Sequence, residues 1–484
     1  MSSKSTFKLL LLGLFTVLLT SCIATKSYKK PEVETDNLYP FEKVSMDSTT
    51  LANMPWQEVF EDPQLRELIN KALKNNLQLR DAIQQIRIAE ANFYQGKMSM
   101  LPSLSAGGSA SYNEPSDNSV NFGGGLSNTA IPASEQYSVS LSSSWELDVW
   151  GKLTSAKKAS YAALLQTEAT RRAIQTTLIA NVANAYYRLM ALDKQLEITR
   201  QTVENRRQDV ETIQSLKESG IVTGVSVQQS IANQYAAEVT IPELEQRITE
   251  QEHALSVLLG RAPGTIERNS LSKQSPIDSL ATGMPAQLLR NRPDIIAAEQ
   301  NFRSAFELTN TARANFYPSF TLTAEGGYQS LQTEDLFQPG SIFYNLIAGL
   351  TQPIFNRGQN RAQLKRSKAR QEQAKLQLRS TILEASREVS NALSQYQSAD
   401  QKLELRQRQL QALQNAVEYS RELLRYGDAT YTEVLAAQQN YLAAQLNNVS
   451  DQLQELTAGV NLYRALGGGW DKAADQVDNS ERTE

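Results

Sequence analysis

The stretch from Arg357 to Gly427 constrains the fold more than any other part of the chain. It contains no proline, and after Gly358 its next glycine is Gly427 itself. A helix of this length extends roughly 100 Å, so it needs other helices along its side. Arg406 and Ser420 interrupt an otherwise regular heptad seam of apolar and small residues, which predicts a coiled coil: Leu378, Ile382, Ala385, Val389, Ala392, Tyr396, Ala399, Leu403, Leu410, Leu413, Val417 and Leu424.

A second seam of the same kind occurs in the first half of the chain, between Gly151 and Gly220. Its members are Leu178, Val182, Ala185, Leu189, Leu192, Leu196, Val203, Val210 and Ile213. Shorter segments also match at an offset of about 207 to 216 residues: 101–104 (LPSL) resembles 317–320 (YPSF), and 255–260 (LSVLLG) resembles 462–467 (LYRALG). The sequence therefore predicts an internal duplication.

The duplication divides the body of the chain into a first repeat, residues 56–262, and a second repeat, residues 263–470. In the first repeat we expect strands at about 103–113 and 136–148, a long helix at 152–219 and a returning helix at 226–259. In the second repeat we expect a helix at 293–315, strands at 319–328 and 343–352, a long helix at 358–426 and a returning helix at 432–466. Residues 22–55 read as an extended tether and residues 471–484 as a disordered tail.

The four predicted strands alternate apolar and polar residues; Tyr137, Val139 and Leu141, for example, are separated by serines. Each strand has about ten residues, enough to cross a membrane at a tilt, although soluble sandwiches alternate in the same way. Four strands cannot close a barrel, and an open sheet in a bilayer would leave unpaired edges. If the strands span a membrane, two or three chains must share one barrel, and the residues leave both numbers open.

The N-terminus has the pattern of a secretory signal. Lys4 and Lys8 precede a short apolar run, and Leu19-Thr20-Ser21-Cys22 resembles a bacterial lipobox. This pattern predicts removal of residues 1–21 and acylation of Cys22, the only cysteine, so no intrachain disulfide is possible. Because Ile23 is not aspartate, the common sorting pattern directs the lipid to the outer membrane. The alternative is an ordinary signal peptide with an incidental thiol.

Several short motifs, in this order along the chain, match one family. They are the lipobox at Cys22, Trp56 with Phe60-Glu61-Asp62-Pro63, Arg292-Pro293-Asp294, Ala312-Arg313 with Tyr317-Pro318-Ser319, and Leu466-Gly467-Gly468-Gly469-Trp470. With these motifs and the duplication, the chain resembles the TolC-like outer membrane factors, most closely their lipoprotein branch of the OprM and NodT type.

The resemblance implies a mainly α fold with a membrane β-barrel. A homotrimer would combine four strands per chain into one twelve-stranded barrel in the bacterial outer membrane, and the long helices would form a hollow α-barrel in the periplasm. The resemblance also implies passive conduction. An inner-membrane pump of the resistance-nodulation-division (RND) class would deliver substrates through a periplasmic adaptor.

In the family, the helix-turn-helix tips bind the adaptor and close the pore. The corresponding residues here are Gly220, Ile221, Val222, Thr223, Gly427, Asp428, Ala429 and Thr430. Glu433 stands where one acid of the family's entrance ring belongs, whereas Ser226 and Ala436 occupy the positions of the others. Both tip glycines also suit simple helix C-caps, and Glu433 also suits a helix start.

Other classes of function find little support in the sequence. No basic tract suggests nucleic acid, and no phosphate loop or metal-ligand cluster suggests a cofactor. His253 has no partner histidine or cysteine nearby in the sequence, so we do not expect an enzyme. Two alternatives to the efflux channel are a lipid-anchored coiled-coil scaffold without a pore and an outer membrane channel for type I protein secretion.

Overall fold

The structure is a computed structural model that describes residues 25–31, 51–114, 116, 133–277 and 291–470. The predicted signal peptide (1–21), the predicted lipid-attachment residue Cys22, most of the predicted tether (22–55) and the predicted tail (471–484) lie outside the described residues.

The first half of the chain begins with three helices before its strands. Helix α1 spans Trp56–Val59, α2 spans Pro63–Asn75 and α3 spans Leu77–Met98. Asp62 is the N-cap of α2, where its side chain accepts a hydrogen bond from the Gln64 N–H at 2.9 Å, and Pro63 takes the first helical position. This start follows from the preference of aspartate for N-caps and of proline for first helical positions.

After its strands, the first half continues with the long helix α4, Lys152–Glu218. The predicted single returning helix at 226–259 is wrong, because the structure has two helices, α5 (Gly224–Glu238) and α6 (Thr240–Leu258). The cause is Pro242, which has no N–H to donate and whose ring would collide with the carbonyl of Glu238 in a continuous helix.

The second half has a simpler helical order. Helix α7 spans Pro293–Ala314, α8 spans Gln359–Tyr426 and α9 spans Tyr431–Ala465. Each begins and ends within one residue of its predicted limits. Val449 occupies the position that is 207 residues beyond Pro242, so α9 returns without interruption. No helix of the described residues contains a stretch apolar enough to cross a lipid bilayer.

The predicted seam of α8 is buried over its first half. Six members are at most 4% exposed: Leu378, Ile382, Ala385, Val389, Ala392 and Ala399. Farther along, Leu403, Leu410 and Leu413 are only half-buried. At the interruption in the seam, the Arg406 Nε donates to Asp451 Oδ2 of α9 at 2.8 Å. The seam is thus broken by an ion pair between two antiparallel helices.

The strands form one sheet in the described part of the chain, in the order β1 (Ser103–Asn113), β2 (Ser134–Leu147), β3 (Ser319–Ser330) and β4 (Ile342–Thr351). All neighbours are antiparallel. The register places apolar residues opposite one another, as in Val139 opposite Tyr328 and Phe320 opposite Leu350. One face of the sheet is therefore apolar and the other is rich in serine and threonine.

The chain divides into two compact units, and each takes segments from both halves. One unit contains the described residues within Met1–Glu32, Arg87–Leu165 and Glu299–Leu376, which include the sheet. The other contains those within Val33–Ile86, Gln166–Ala298 and Gln377–Glu484. The second unit holds the main hydrophobic core, whose largest fully buried side chains include Phe60, Leu65, Ile69, Tyr186, Leu189, Met190, Leu255 and Ile295.

Candidate functional site

Both predicted tips are glycine turns of the same geometry. Gly220 and Gly427 have φ of +76° and +80° and end α4 and α8. In the first turn, the Ile221 N–H donates to the Leu216 carbonyl at 2.9 Å and the Gly220 N–H donates to the Lys217 carbonyl at 3.0 Å. This pair of bonds defines a Schellman motif, which favours glycine because the residue that follows the helix C-cap, here Gly220, must adopt a left-handed backbone. The C-cap interpretation of both glycines is therefore confirmed.

The second turn has the same pair of backbone bonds. The Asp428 N–H donates to the Leu423 carbonyl at 3.0 Å, and the Gly427 N–H donates to the Leu424 carbonyl at 3.1 Å. Helices α5 and α9 each begin four residues after these glycines, so each tip is a tight connection between antiparallel helices.

The two tips differ in how the next helix is capped. Thr430 and Glu433 form a capping box, in which the Glu433 carboxylate accepts from the Thr430 N–H at 2.8 Å. Thr223 is the equivalent N-cap of α5, but its side chain makes no capping hydrogen bond, and Ser226 replaces the glutamate. Glu433 therefore has a definite role in starting α9, while its carboxylate stays exposed to solvent.

A small apolar core joins the two tips. It consists of Ile213 from α4, Val227 from α5, Leu424 from α8 and Tyr431 and Val434 from α9. Tip residues that were far apart in the sequence are thus brought to one end of a four-helix arrangement. The turn residues themselves remain largely exposed, including Ile221 at 47%.

An ionic network links the same helices beside this apolar core. Asp209 of α4 accepts from Arg421 of α8 at 3.1 Å and from the Gln438 side chain of α9 at 2.8 Å. The sequence analysis missed this network because it considered the apolar and small residues of the seams and not the charged residues beside them. The available signal was their position: Asp209 precedes the seam residue Val210, and Arg421 follows the interruption at Ser420.

A polar cavity of about 400 Å³ opens beside the network. Its lining is dominated by long polar side chains, including Gln201, Asn205, Asp209, Gln414, Glu418 and Arg421. Arg206 lies at its wall and donates to the Asn233 carbonyl, and burial lowers the pKa of its guanidinium. A cavity with this lining suits water rather than an apolar ligand.

Comparison with known proteins identifies the family. The family model described as outer membrane efflux protein matches residues 68–261 and again residues 284–468. The chain belongs to the outer membrane efflux protein family. The two matched ranges fall one in each half, in agreement with the predicted duplication.

Relatives within the outer membrane efflux protein family match nearly the full chain. The probable outer membrane lipoprotein SilC of Salmonella typhimurium is 31% identical over 96% of this chain and 99% of its own length. The structure of the outer-membrane channel OprN has a TM-score of 0.84 at 25% identity, and the match covers 93% of this chain and all of that one. The open state of the Neisseria gonorrhoeae MtrE channel has a TM-score of 0.80 at 26% identity, covering 93% and 98%.

Membership of the outer membrane efflux protein family confirms the predicted mainly α fold class and the predicted role in outer membrane efflux. The chain has the TolC-like fold, and it is an outer membrane efflux channel. The family consists of channels rather than enzymes. His253 is exposed on α6, and among the described residues no group of three or more His, Cys, Asp and Glu side chains could hold a metal ion.

Proposed function

We propose that the channel works as a homotrimer in a tripartite efflux system. It conducts passively, receiving substrates from an inner-membrane RND pump through a periplasmic adaptor and releasing them outside the cell. The observation that carries this proposal is the four-stranded sheet, which has one apolar face and two unpaired edges in the described part of the chain.

The two edge strands of the sheet have backbone groups that strands of other chains could pair with. β1 and β4 each pair on one side only, and apolar side chains on the apolar face are strongly exposed, including Leu104 at 72% and Tyr344 at 89%. In a bilayer the free edges would leave backbone groups unsatisfied, so pairing β1 of one chain with β4 of the next is favoured. Three chains then give twelve strands, an even number within the range of known barrels.

Aromatic residues bound the apolar face at both ends. Tyr137 and Tyr328 lie near one end, while Trp145 and Phe320 lie eight residues along the same strands. Eight residues extend about 26 Å, which corresponds to about 20 Å of height at a tilt of about 40°. This height is close to the apolar band of about 25 Å in outer membrane barrels, which is flanked by aromatic girdles.

The described part of the tether, residues 25–31, supports lipid anchoring at Cys22. Asn310 of α7 holds Lys26 through two bonds, donating to its carbonyl at 2.9 Å and accepting from its N–H at 3.1 Å. Thr25 packs against Gly151, close to the end of β2. Cys22 is three residues before Thr25 in the sequence. The predicted acylation site is therefore close in sequence to a segment that packs beside the end of β2.

The joined tips are the proposed adaptor-binding surface and gate. Their turn residues, Gly220 to Thr223 and Gly427 to Thr430, are largely exposed and available to a partner protein. The Asp209–Arg421 pair ties the two helical hairpins together, so separating the hairpins to widen the entrance requires breaking it. Glu433 stays a gate candidate, because its charge is exposed next to the second tip.

Planar-bilayer conductance, with the mass of the purified full-length protein determined in the same detergent, tests the channel. We expect discrete ion-conducting steps and the mass of a trimer. A monomer or dimer without conductance contradicts the proposal and would favour the scaffold without a pore.

A charge substitution tests the gate. Replacing Arg421 with alanine breaks the tie between hairpins, and we expect a larger open probability than in the wild type. The matched control is Arg408→Ala on the same helix, because among the described residues the ion pair of Arg408 is with Glu404, one turn away, and both side chains are exposed. Equal open probabilities for the two variants would contradict a gating role for the Asp209–Arg421 pair.

A further inference from the structure

The strand-containing parts of the chain have an extreme charge composition. Residues 98–151 and 314–356 include all four strands and contain no lysine, arginine or histidine. They contain eight acids: Glu114, Asp117, Glu135, Glu146, Asp148, Glu325, Glu334 and Asp335. The whole chain carries a net charge of −4, so the rest of it carries +4. Negative charge is therefore concentrated in the segments that form the sheet.

Only two of these acids lie on the polar face of the described strands. Glu146 is at the end of β2 that leads into α4, where Lys152 Nζ lies 2.8 Å from its carboxylate and neutralises it. Glu325 is in the middle of β3, and the strand segments supply no base that could neutralise it. The Ser140 hydroxyl donates to its Oε1 at 2.9 Å, which orients the carboxylate without removing its charge.

The neighbours of Glu325 across the sheet are neutral. Its register partners are Ser142 on β2 and Asn345 on β4, and Ser105 of β1 lies opposite Ser142. The remaining positions of this face are mainly serine, threonine and glycine. Phe343 and Ile347 of β4 also lie on this face, on either side of Asn345, and are uncharged. A single unneutralised carboxylate among uncharged side chains determines the sign of the electrostatic potential along this face.

We propose that Glu325 makes the membrane section of the channel cation-selective. The inference rests on the proposed function, since a trimeric barrel with its polar face inward places three copies of Glu325 at one height around the lumen. Rings of carboxylates attract cations and exclude anions. Glu334 and Asp335, in the connection between β3 and β4, add to the attraction by raising the cation concentration at that end of the barrel. Cationic solutes are therefore the substrate class that this exit favours.

The cation-to-anion permeability ratio, measured from reversal potentials across a salt gradient in planar bilayers, tests the inference. Glu325→Gln keeps an oxygen for the Ser140 hydroxyl and removes the charge. Three charges about 10 Å from the axis, screened at about 0.1 M salt, predict a fall in the ratio of about threefold. Glu325→Lys should make the channel anion-selective, and Glu325→Asp should keep the wild-type selectivity.

The matched control is Glu135→Gln. Glu135 is in the same sheet, but it lies on the apolar face beside Tyr137, whose hydroxyl donates to it at 2.9 Å. The control should keep the wild-type ratio. Conducting Glu325→Gln trimers with an unchanged ratio overturn the inference while leaving the proposed channel intact. Wild-type protein that does not conduct overturns the proposed channel, and the inference with it.

Discussion

The two halves of the chain make the same backbone turn where the returning helix ends. Gly260 follows α6 with φ of +66°, and Gly467 follows α9 with φ of +90°. At both positions a Cβ would collide with a backbone carbonyl, that of Asn75 in the first half and that of Asn291 in the second. The duplicated fold thus keeps a close backbone crossing that only glycine fits.

The side chains that secure these two crossings have different chemistry. In the first half, the Asn76 side chain donates to the Leu258 carbonyl at 2.9 Å and accepts from the Leu79 N–H at 3.0 Å. In the second half, Arg292 donates to the Ala465 carbonyl at 2.8 Å and also pairs with two carboxylates. The comparison shows that one backbone arrangement accepts either a neutral amide or a buried cation.

A buried cation is tolerable only while its partners remain. The Arg292 side chain is 7% exposed, with Asp294 at 2.6 Å and Glu388 at 2.9 Å. These partners keep the pKa of Arg292 above its usual value, although burial alone would lower it. Removing one member of such a group leaves the charges of the others uncompensated, and this destabilises the fold more than the loss of a neutral hydrogen bond does.

The largest expected effect is therefore an asymmetry between Arg292→Ala and Asn76→Ala. We expect Arg292→Ala to lower the free energy of unfolding by about 4 kcal/mol and Asn76→Ala by about 1.5 kcal/mol. Urea unfolding in detergent, followed by far-ultraviolet circular dichroism, measures both. Equal losses would mean that the charged junction is no more sensitive than the neutral one, and the comparison would fail.

Substitutions of the two junction glycines should destabilise the fold equally, in contrast to substitutions of Asn76 and Arg292. Gly260→Ala and Gly467→Ala each add a Cβ at a left-handed residue that faces a backbone carbonyl, and we expect each to cost about 3 kcal/mol. The same urea unfolding measures this, with Gly264→Ala as the control because a Cβ there meets nothing within 4 Å. A large difference between the two junctions would show that their backbones are not equivalent.

The described segment that opens the second repeat, residues 263–277, is also held by unlike groups, and these groups differ in how they respond to pH. Asp62, in the first half, binds it through Asn269 and Gln274. The second half holds it through the neutral Tyr396 hydroxyl, which donates to the Ile277 carbonyl at 3.1 Å. Burial alone would raise the pKa of Asp62, but four hydrogen bonds to its carboxylate together lower the pKa.

Because the pKa of Asp62 is lower in the folded state, the ionised carboxylate stabilises the fold at pH values above its unfolded-state pKa of about 4. This stabilisation is lost as the pH falls through the lower, folded-state pKa. Asp62→Asn should lower the free energy of unfolding by about 2 kcal/mol at neutral pH and should weaken its further decrease below about pH 4. Urea unfolding at a series of pH values measures how the free energy of unfolding depends on pH. Tyr396→Phe is the control, because it removes a hydrogen bond without removing a group that titrates in this acidic pH range.

Most of the fold could be predicted because its signals are local. Heptad spacing, the Asp62-Pro63 start and the glycine ends fix the helices, and two-residue alternation fixes the strands. The break at Val239 was also local, since Pro242 was visible in the sequence. The Asp209–Arg421 pair was not local: it joins residues 212 positions apart, and its formation depends on which faces of several helices meet.

Glu433 shows how one local signal can support two roles. The spacing from Thr430 to Glu433 is that of a capping box, which the sequence analysis passed over in favour of the helix dipole and the entrance ring. Position 226 carries serine, so the first tip has no equivalent box. Comparing the two tips is therefore the most selective test of the difference between the halves, although the expected effect is the smallest.

Removing each N-cap hydroxyl should destabilise the two tips unequally. We expect Thr430→Ala to cost about 1 kcal/mol locally and Thr223→Ala only a few tenths of that, because only Thr430 makes the capping hydrogen bond. Amide hydrogen exchange in the first turns of α9 and α5 measures each effect. Glu433→Gln then separates the two roles of the acid, since glutamine preserves a capping box and removes the charge. Altered conductance with unchanged exchange would assign the Glu433 charge to the pore, whereas unchanged conductance would leave capping as its role.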